Sequence, residues 1–172
     1  MQKFGGSSLA DPQLIQNVAR RIVNTQQKGD QVAVVVSAMG DTTDRLIELA
    51  NEISPRPDPR DMDLLLSTGE LVSCAMLTIA LKELGVQGVG LAGGQAGIYT
   101  DRSHGSASII GIDPRRVQRE LNRGNVVIVA GFQGVNEDMD VTTLGRGASD
   151  LTAVALAAAL GAHRCEVYTD VE

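Results

Sequence analysis

Two unbroken apolar runs, Val32–Val36 and Val126–Ala130, constrain this chain more than anything else in it. Neither run has a polar alternation, so a strand built from either has no face to show to water and must be covered on both sides. Stretches of helical spacing separate such runs. Asp11-Pro12 reads as a helix start, with a carboxylate cap and proline at the first helical position. Leu14, Ile15, Val18, Ile22 and Val23 then fall on one face, and Gly29 closes the element. The same reading gives helices from about Thr43 to Ile53, over Glu70–Leu84, over Pro114–Arg123 and over Asp150–Leu160. It gives further strands at Met1–Phe4, Val86–Leu91 and Arg164–Tyr168, and a proline-rich loop at Ser54–Pro59. Strands alternating with helices predict an α/β fold, a three-layer α/β/α sandwich around a mainly parallel sheet. Residues 97–112 and 134–148 carry no long apolar period and read as loops or short hairpins over a site.

A length of 172 residues suits one domain. Aromatics are 2% with no Trp, so the core must come from Val, Leu, Ile and Ala. A net charge of −6 and a pI near 4.9 argue against a nucleic-acid surface. No apolar run is expected to reach the roughly 20 residues of a bilayer span, and the first residues do not read as a signal peptide, so no membrane role is expected. Cys74 and Cys165 lie in apolar stretches and read as two reduced core thiols of a cytoplasmic protein. Both ends look cut. The first strand has almost no residues before Gly5, and the last stops where ligand loops of an open sheet normally begin.

Several segments at strand ends carry chemistry. Lys3-Phe4-Gly5-Gly6-Ser7-Ser8 places a cation beside backbone that can approach phosphate oxygens closely; the plain alternative is a solvated lysine and a turn. It is not a Walker loop, since no Gly-Lys-Ser/Thr ends it. Ser37–Asp44 follows a buried strand and leads into a helix, where Ser37 and Thr43 offer hydroxyls and Asp41 or Thr43 serves equally well as an N-cap. Glu70 reads as opening a helix, either balancing its dipole or holding an ammonium group. Gly131-Phe132-Gln133-Gly134 is a backbone anion receptor or a tight turn. Arg146 sits among glycines before a helix start, a good receptor for carboxylate or phosphate, with Ser149 or Asp150 as the expected N-cap. Gly88–Gly93 matches the dinucleotide pattern G-x-G-x-x-G, but no helix follows, which argues against an oxidoreductase. His104 and His163 have no neighbours at metal-ligand spacing, and no nucleophile elbow is present.

Taken together, KFGGSS (Lys3–Ser8), SAMGDTTDRL (Ser37–Leu46), Gly69-Glu70, GFQG (Gly131–Gly134), TLGRGASD (Thr143–Asp150) and YTDV (Tyr168–Val171) resemble the aspartate kinases of the amino acid kinase superfamily, in the same order. The resemblance covers nearly the whole chain. It implies ATP and Mg²⁺, as MgATP, with L-aspartate as acceptor and 4-phospho-L-aspartate as product, on the way to lysine, threonine and methionine. It also implies a cytoplasmic enzyme that is a homo-oligomer at full length. By resemblance, Lys3 and Asp150 are catalytic, Lys3 on the transferring phosphoryl group and Asp150 organising Lys3 and the metal-bound phosphates. Thr43, Glu70, Arg146 and Ser149 bind the substrate. Lys3, Gly5, Gly6, Ser7, Ser37, Thr169 and Asp170 face the nucleotide and its phosphates. Ala148 stands where the family usually has Gly, a strained choice if φ there is positive. In the family the chain continues into the rest of the nucleotide site and regulatory ACT domains, so residues 1–172 would be the aspartate- and phosphate-binding part, inactive alone. The alternative is a non-catalytic binding or assembly module of the same fold.

Overall fold

The computed structural model describes residues 1–145 and 147–169. A five-stranded sheet forms the centre, built from β1 (Gln2–Phe4), β2 (Ala33–Val36), β3 (Gly88–Leu91), β6 (Val126–Ala130) and β9 (Glu166–Tyr168), in the order β3-β6-β2-β1-β9. Every pairing in it is parallel, with Phe4 beside Val36 and Tyr168, and Val36 beside Ala130. Parallel strands need crossovers, and the helices supply them: α1 (Pro12–Gln26), α2 (Thr42–Ile53), α3 (Pro59–Glu83), α4 (Arg115–Asn122) and α5 (Ser149–Leu160).

Alternation along the buried strands sorts the core into two layers. Phe4, Val34, Val36, Val126 and Ile128 pack with Ile15, Val18 and Ile22 of α1 and with Cys74, Leu77 and Leu81 of α3. Ala33, Val35, Val127 and Val129 pack on the other face with Val117 and Leu121 of α4 and with Ala153 and Leu156 of α5. The three-layer sandwich is therefore present, with a core of aliphatic side chains. Residues 97–112 and 133–143 form a second, four-stranded sheet, β5-β4-β7-β8, from β4 (Ile98–Thr100), β5 (Ile109–Ile112), β7 (Gln133–Val135) and β8 (Val141–Thr143).

Local signals act as expected at several ends. Asp11 caps α1, accepting from the Leu14 amide at 2.8 Å, and Gly161 ends α5 at φ 62°. Other expectations need correction. Helix α3 begins at Pro59, not Glu70: Asp58 accepts from the Arg60 amide at 2.9 Å, and proline takes the first position. Glu70 is thus a mid-helix residue. Gly69 lies inside the helix, and the position is held by glycine because a Cβ there would stand 2.9 Å from the Ala38 Cβ. Helix α3 is also long and apolar enough to cross a membrane by length and composition, with mean hydropathy 1.8 over its most apolar window, contrary to the expectation that no such run exists. Its buried face nevertheless carries Asp63, Ser67, Glu70 and Ser73 and packs on β3, β6 and β8. Cys74 is buried, which pushes its thiol up to about 11, whereas Cys165 is exposed rather than part of the core.

Candidate active site

The carboxyl ends of β1, β2 and β6 lie side by side, and the loops leaving them knit together. The Ser37 amide donates to the Phe4 carbonyl at 3.1 Å, the Gly131 amide to Val36 at 2.9 Å, and the Gly40 amide to Gly6 at 3.0 Å. Gly6 has an ordinary φ of −62°, so glycine is required there by space: a Cβ would meet the Ala38 carbonyl oxygen at 2.5 Å. Ser7 is exposed in the short turn that follows, and Ser37 is half-buried. The start of α1 is already occupied by the Asp11 carboxylate.

Lys3 lies on the α5 side of β1, alternating with Gln2 and Phe4. Its ammonium group stands 2.7 Å from Asp150 Oδ1, with the lysine side chain 9% exposed and the aspartate 52%. A buried ammonium needs such a partner, because desolvation otherwise makes the charge costly. Asp150 is in the first turn of α5, where the helix dipole favours a carboxylate. Neither Ser149 nor Asp150 is the N-cap. Ala148 holds that place with φ −81°, so the alanine is unstrained, and among the described residues of this loop Gly145 and Gly147 are left-handed. Ser149 is buried against the end of β6, where a Cβ on Gly131 would stand 2.9 Å from both Ser149 Oγ and the Val36 carbonyl. Phe132 adopts φ 69°, a conformation that costs a side chain of this size about 1–3 kcal/mol. Its amide donates to Thr152 Oγ1 at 3.1 Å, and its carbonyl accepts from Leu144 at 2.9 Å.

Glu70 forms another wall. It is 3% exposed, and its Oε1 accepts from the Ala38 amide at 3.2 Å. Its Oε2 is buried and has no hydrogen-bond partner among the described residues. Burial pushes the carboxyl group up to about 7, opposed by the hydrogen bonds it receives. A buried acceptor left open in this way suits a donor from a ligand, and a cationic donor best. Thr43 is half-buried in the first turn of α2, and Asp41, at the cap position, makes no side-chain cap bond. At the opposite side, the β1–β9 register carries Thr169 past Tyr168, and Thr169 is exposed. Tyr168 stacks on Phe4 with ring centroids 4.8 Å apart, under the Arg21 guanidinium. Arg146 and Asp170 lie outside the described residues.

Of the residues read from sequence, Lys3, Gly5 and Asp150 come together, the loops of Gly6 and Ser37 meet, and Glu70 joins the second of them through Ala38. Ser7, Thr43 and Thr169 make no such contact among the described residues, and one group was missed. Asp63 on α3 is 1% exposed and accepts from His104 Nδ1 at 2.8 Å, from the Gly105 amide at 3.0 Å and from Thr143 Oγ1 at 2.5 Å. A lone acid in the apolar segment Met62–Leu66 was the available signal. Its partners are 41 or more positions away. No cluster of three or more metal-ligating side chains stands together among the described residues. A concavity of about 550 Å³ opens at the other ends of β1, β2 and β9, lined by Gln2, Asp30, Ala33 and Glu166. Ligands of parallel sheets bind at the carboxyl ends, so the convergent residues outweigh that hollow as the site.

The model of the amino acid kinase family matches residues 2–172. An aspartokinase of Mycobacterium bovis is 56% identical over the whole of this chain, and one of Geobacillus stearothermophilus is 57% identical over 99% of it. The chain spans about 41–42% of the length of those relatives. A crystal structure of aspartate kinase from Synechocystis superposes on 99% of this chain and 28% of its own, with TM-score 0.85 and 50% identity. E. coli aspartokinase III in complex with aspartate and ADP superposes on 99% of this chain and 48% of its own, with TM-score 0.87 and 27% identity. The chain belongs to the amino acid kinase family.

Proposed function

We propose that this chain forms the aspartate- and phosphate-binding part of an aspartate kinase, which transfers the γ-phosphoryl group of ATP to the β-carboxylate of L-aspartate. The observation that carries the reading is the buried Lys3–Asp150 pair on β1, supported by the open oxygen of Glu70 beside the loop that follows β2. In the reaction a carboxylate oxygen of aspartate forms a bond to the γ-phosphorus, the bond from that phosphorus to the bridging oxygen breaks, and ADP leaves. Such transfer depends on positioning and on stabilising charge along the line of attack. Lys3 lies where it meets the transferring group, with the Gly5, Gly6 and Ser7 backbone and Ser37 along the phosphates. Asp150 keeps Lys3 aimed, and Thr169 and Asp170 begin the nucleotide segment.

The substrate is held from its other end. Glu70 Oε2 accepts from the ammonium group, Arg146 pairs with the α-carboxylate, and Thr43 and Ser149 flank it. Magnesium enters with the nucleotide as MgATP. The described residues offer Asp150 but no protein-only cage, which fits an ion held mostly by phosphate oxygens and water.

Calorimetric titration of the chain with L-aspartate tests this. One site per chain is expected, and Glu70→Ala should weaken it by about 10- to 100-fold, the size of a charge-assisted bond. Equal affinity in Glu70→Ala would remove Glu70 from the substrate site and with it this reading of the cleft.

A further inference from the structure

We propose that Asp63 and His104 act as a positioning pair that sets the separation of the two walls of the aspartate cleft, an inference that rests on the reading above. Asp63 precedes Glu70 by two helical turns, so both side chains lie on the same buried face of α3. The Asp63 carboxylate gathers donors from two remote segments: His104 and Gly105 from the turn after β4, and Thr143 at the end of β8. That turn is itself fastened to β8, since the Ala107 amide donates to the Thr143 carbonyl at 2.9 Å. A Cβ built on Gly145 would lie 3.9 Å from the Gly105 carbonyl, so the same turn backs the start of the segment leading to Ser149. Asp63 thereby connects the helix that carries Glu70 to the strand end that leads to Ser149 and Asp150. A second tie runs parallel to it, from Gln133 Nε2 to the Ser67 carbonyl at 3.0 Å.

A buried acid that merely held the fold would affect stability without regard to ligand. A spacer between two halves of a binding cleft affects a ligand that must touch both. Asp63 is buried and already bonded to His104, Gly105 and Thr143, so its influence on a ligand passes through Glu70 and Ser149. A shift of about 1 Å between such groups is enough to cost much of their combined effect.

The test compares His104→Ala, which removes one donor, with His104→Asn, whose side-chain amide can replace Nδ1–H, and with Thr143→Val, which removes the Oγ1 donor at constant shape. Calorimetry of the 172-residue chain with L-aspartate is paired with hydrogen exchange of the amides of residues 141–149. His104→Ala and Thr143→Val are expected to weaken L-aspartate by about tenfold, the effect of one hydrogen bond to a charged group. They should also speed exchange in 141–149 while leaving β2 and β6 protected, and His104→Asn should restore both readouts. Wild-type affinity in His104→Ala and Thr143→Val would overturn the pair's role while leaving the proposed function standing, as would failure of His104→Asn to recover. Absence of L-aspartate binding by the wild-type chain would remove both together.

Discussion

Lys3 and Asp150 form an unequal pair: the ammonium group is nearly buried, while the carboxylate 2.7 Å from it is half in solvent. The cation is fixed on β1, in the sheet, and cannot follow a wandering partner. Asp150 lies on the first turn of α5 and has oxygen surface left for another ligand. That asymmetry suits a lysine kept aimed by an acid that incoming phosphate oxygens can approach.

Removing the cation should therefore affect turnover more than substrate affinity. In a chimera whose matching segment of the Mycobacterium bovis aspartokinase is replaced by residues 1–172, Lys3→Ala is expected to lower kcat by about 100- to 1000-fold, as when one donor to developing charge is lost. The KM for aspartate should change by less than about threefold. Steady-state kinetics check the split, and a rise in KM at constant kcat would assign Lys3 to ground-state binding instead.

Glu70 predicts a proton signal. Burial holds its carboxyl group up to about 7, and an ammonium ligand favours the charged form. Binding of L-aspartate at pH 6 should expel a proton, and affinity should rise with pH until about 7 and then level off. Titrations at pH 6 in two buffers of different ionisation enthalpy measure this directly. Release approaching one proton per ligand is expected, falling away by pH 8.5. Proton uptake at pH 6 would contradict the assignment.

The same group has the opposite influence on the unliganded fold. Its pKa rises from 4.5 in the unfolded chain to about 7 in the folded one, so the folded state binds the extra proton between those values. This contribution is complete below pH 4.5 and is lost as pH rises through 7, up to about 3 kcal/mol in magnitude. Thermal unfolding of Glu70→Gln should be less sensitive to pH between 5 and 8 than wild type. Parallel pH dependences in the two proteins would show that Glu70 does not titrate as described.

Much of the fold was legible because burial leaves a direct mark on composition. Val32–Val36 and Val126–Ala130 show no polar face, and both proved to be interior strands. Asp11-Pro12 carried its helix start in two residues. The start of α3 was missed although Asp58-Pro59 carries the same signal, because Thr68-Gly69 imitates a boundary. Gly69 serves instead to let the helix pass close to Ala38, a long-range contact that no local pattern reports. The candidate side chains were legible as types at strand ends, but the openness of Glu70 Oε2 and the three donors gathered at Asp63 depend on which loops meet, and that is decided by the sheet order.

The glycine weave between β1 and β2 gives a steric prediction. Gly6→Ala meets a backbone oxygen at 2.5 Å, so the two loops must separate. A destabilisation of about 1–3 kcal/mol is expected, with loss of phosphate-side geometry and hence of turnover. Gly111→Ala is the control, since nothing lies near its Cβ and its φ is not positive. Denaturant unfolding of both variants checks the difference, and equal stability would mean that the weave yields without cost.

The most direct test is whether these residues support phosphoryl transfer to aspartate at all. The same chimera, supplied with MgATP and L-aspartate, should form an acyl phosphate that hydroxylamine traps as aspartyl hydroxamate, with ADP produced in equal amount. Omission of L-aspartate should abolish the signal, and Asp150→Ala should reduce it sharply. Hydroxamate formation that requires ATP, L-aspartate and Lys3 together is the predicted result; a folded chimera that binds L-aspartate yet forms no hydroxamate would contradict the account.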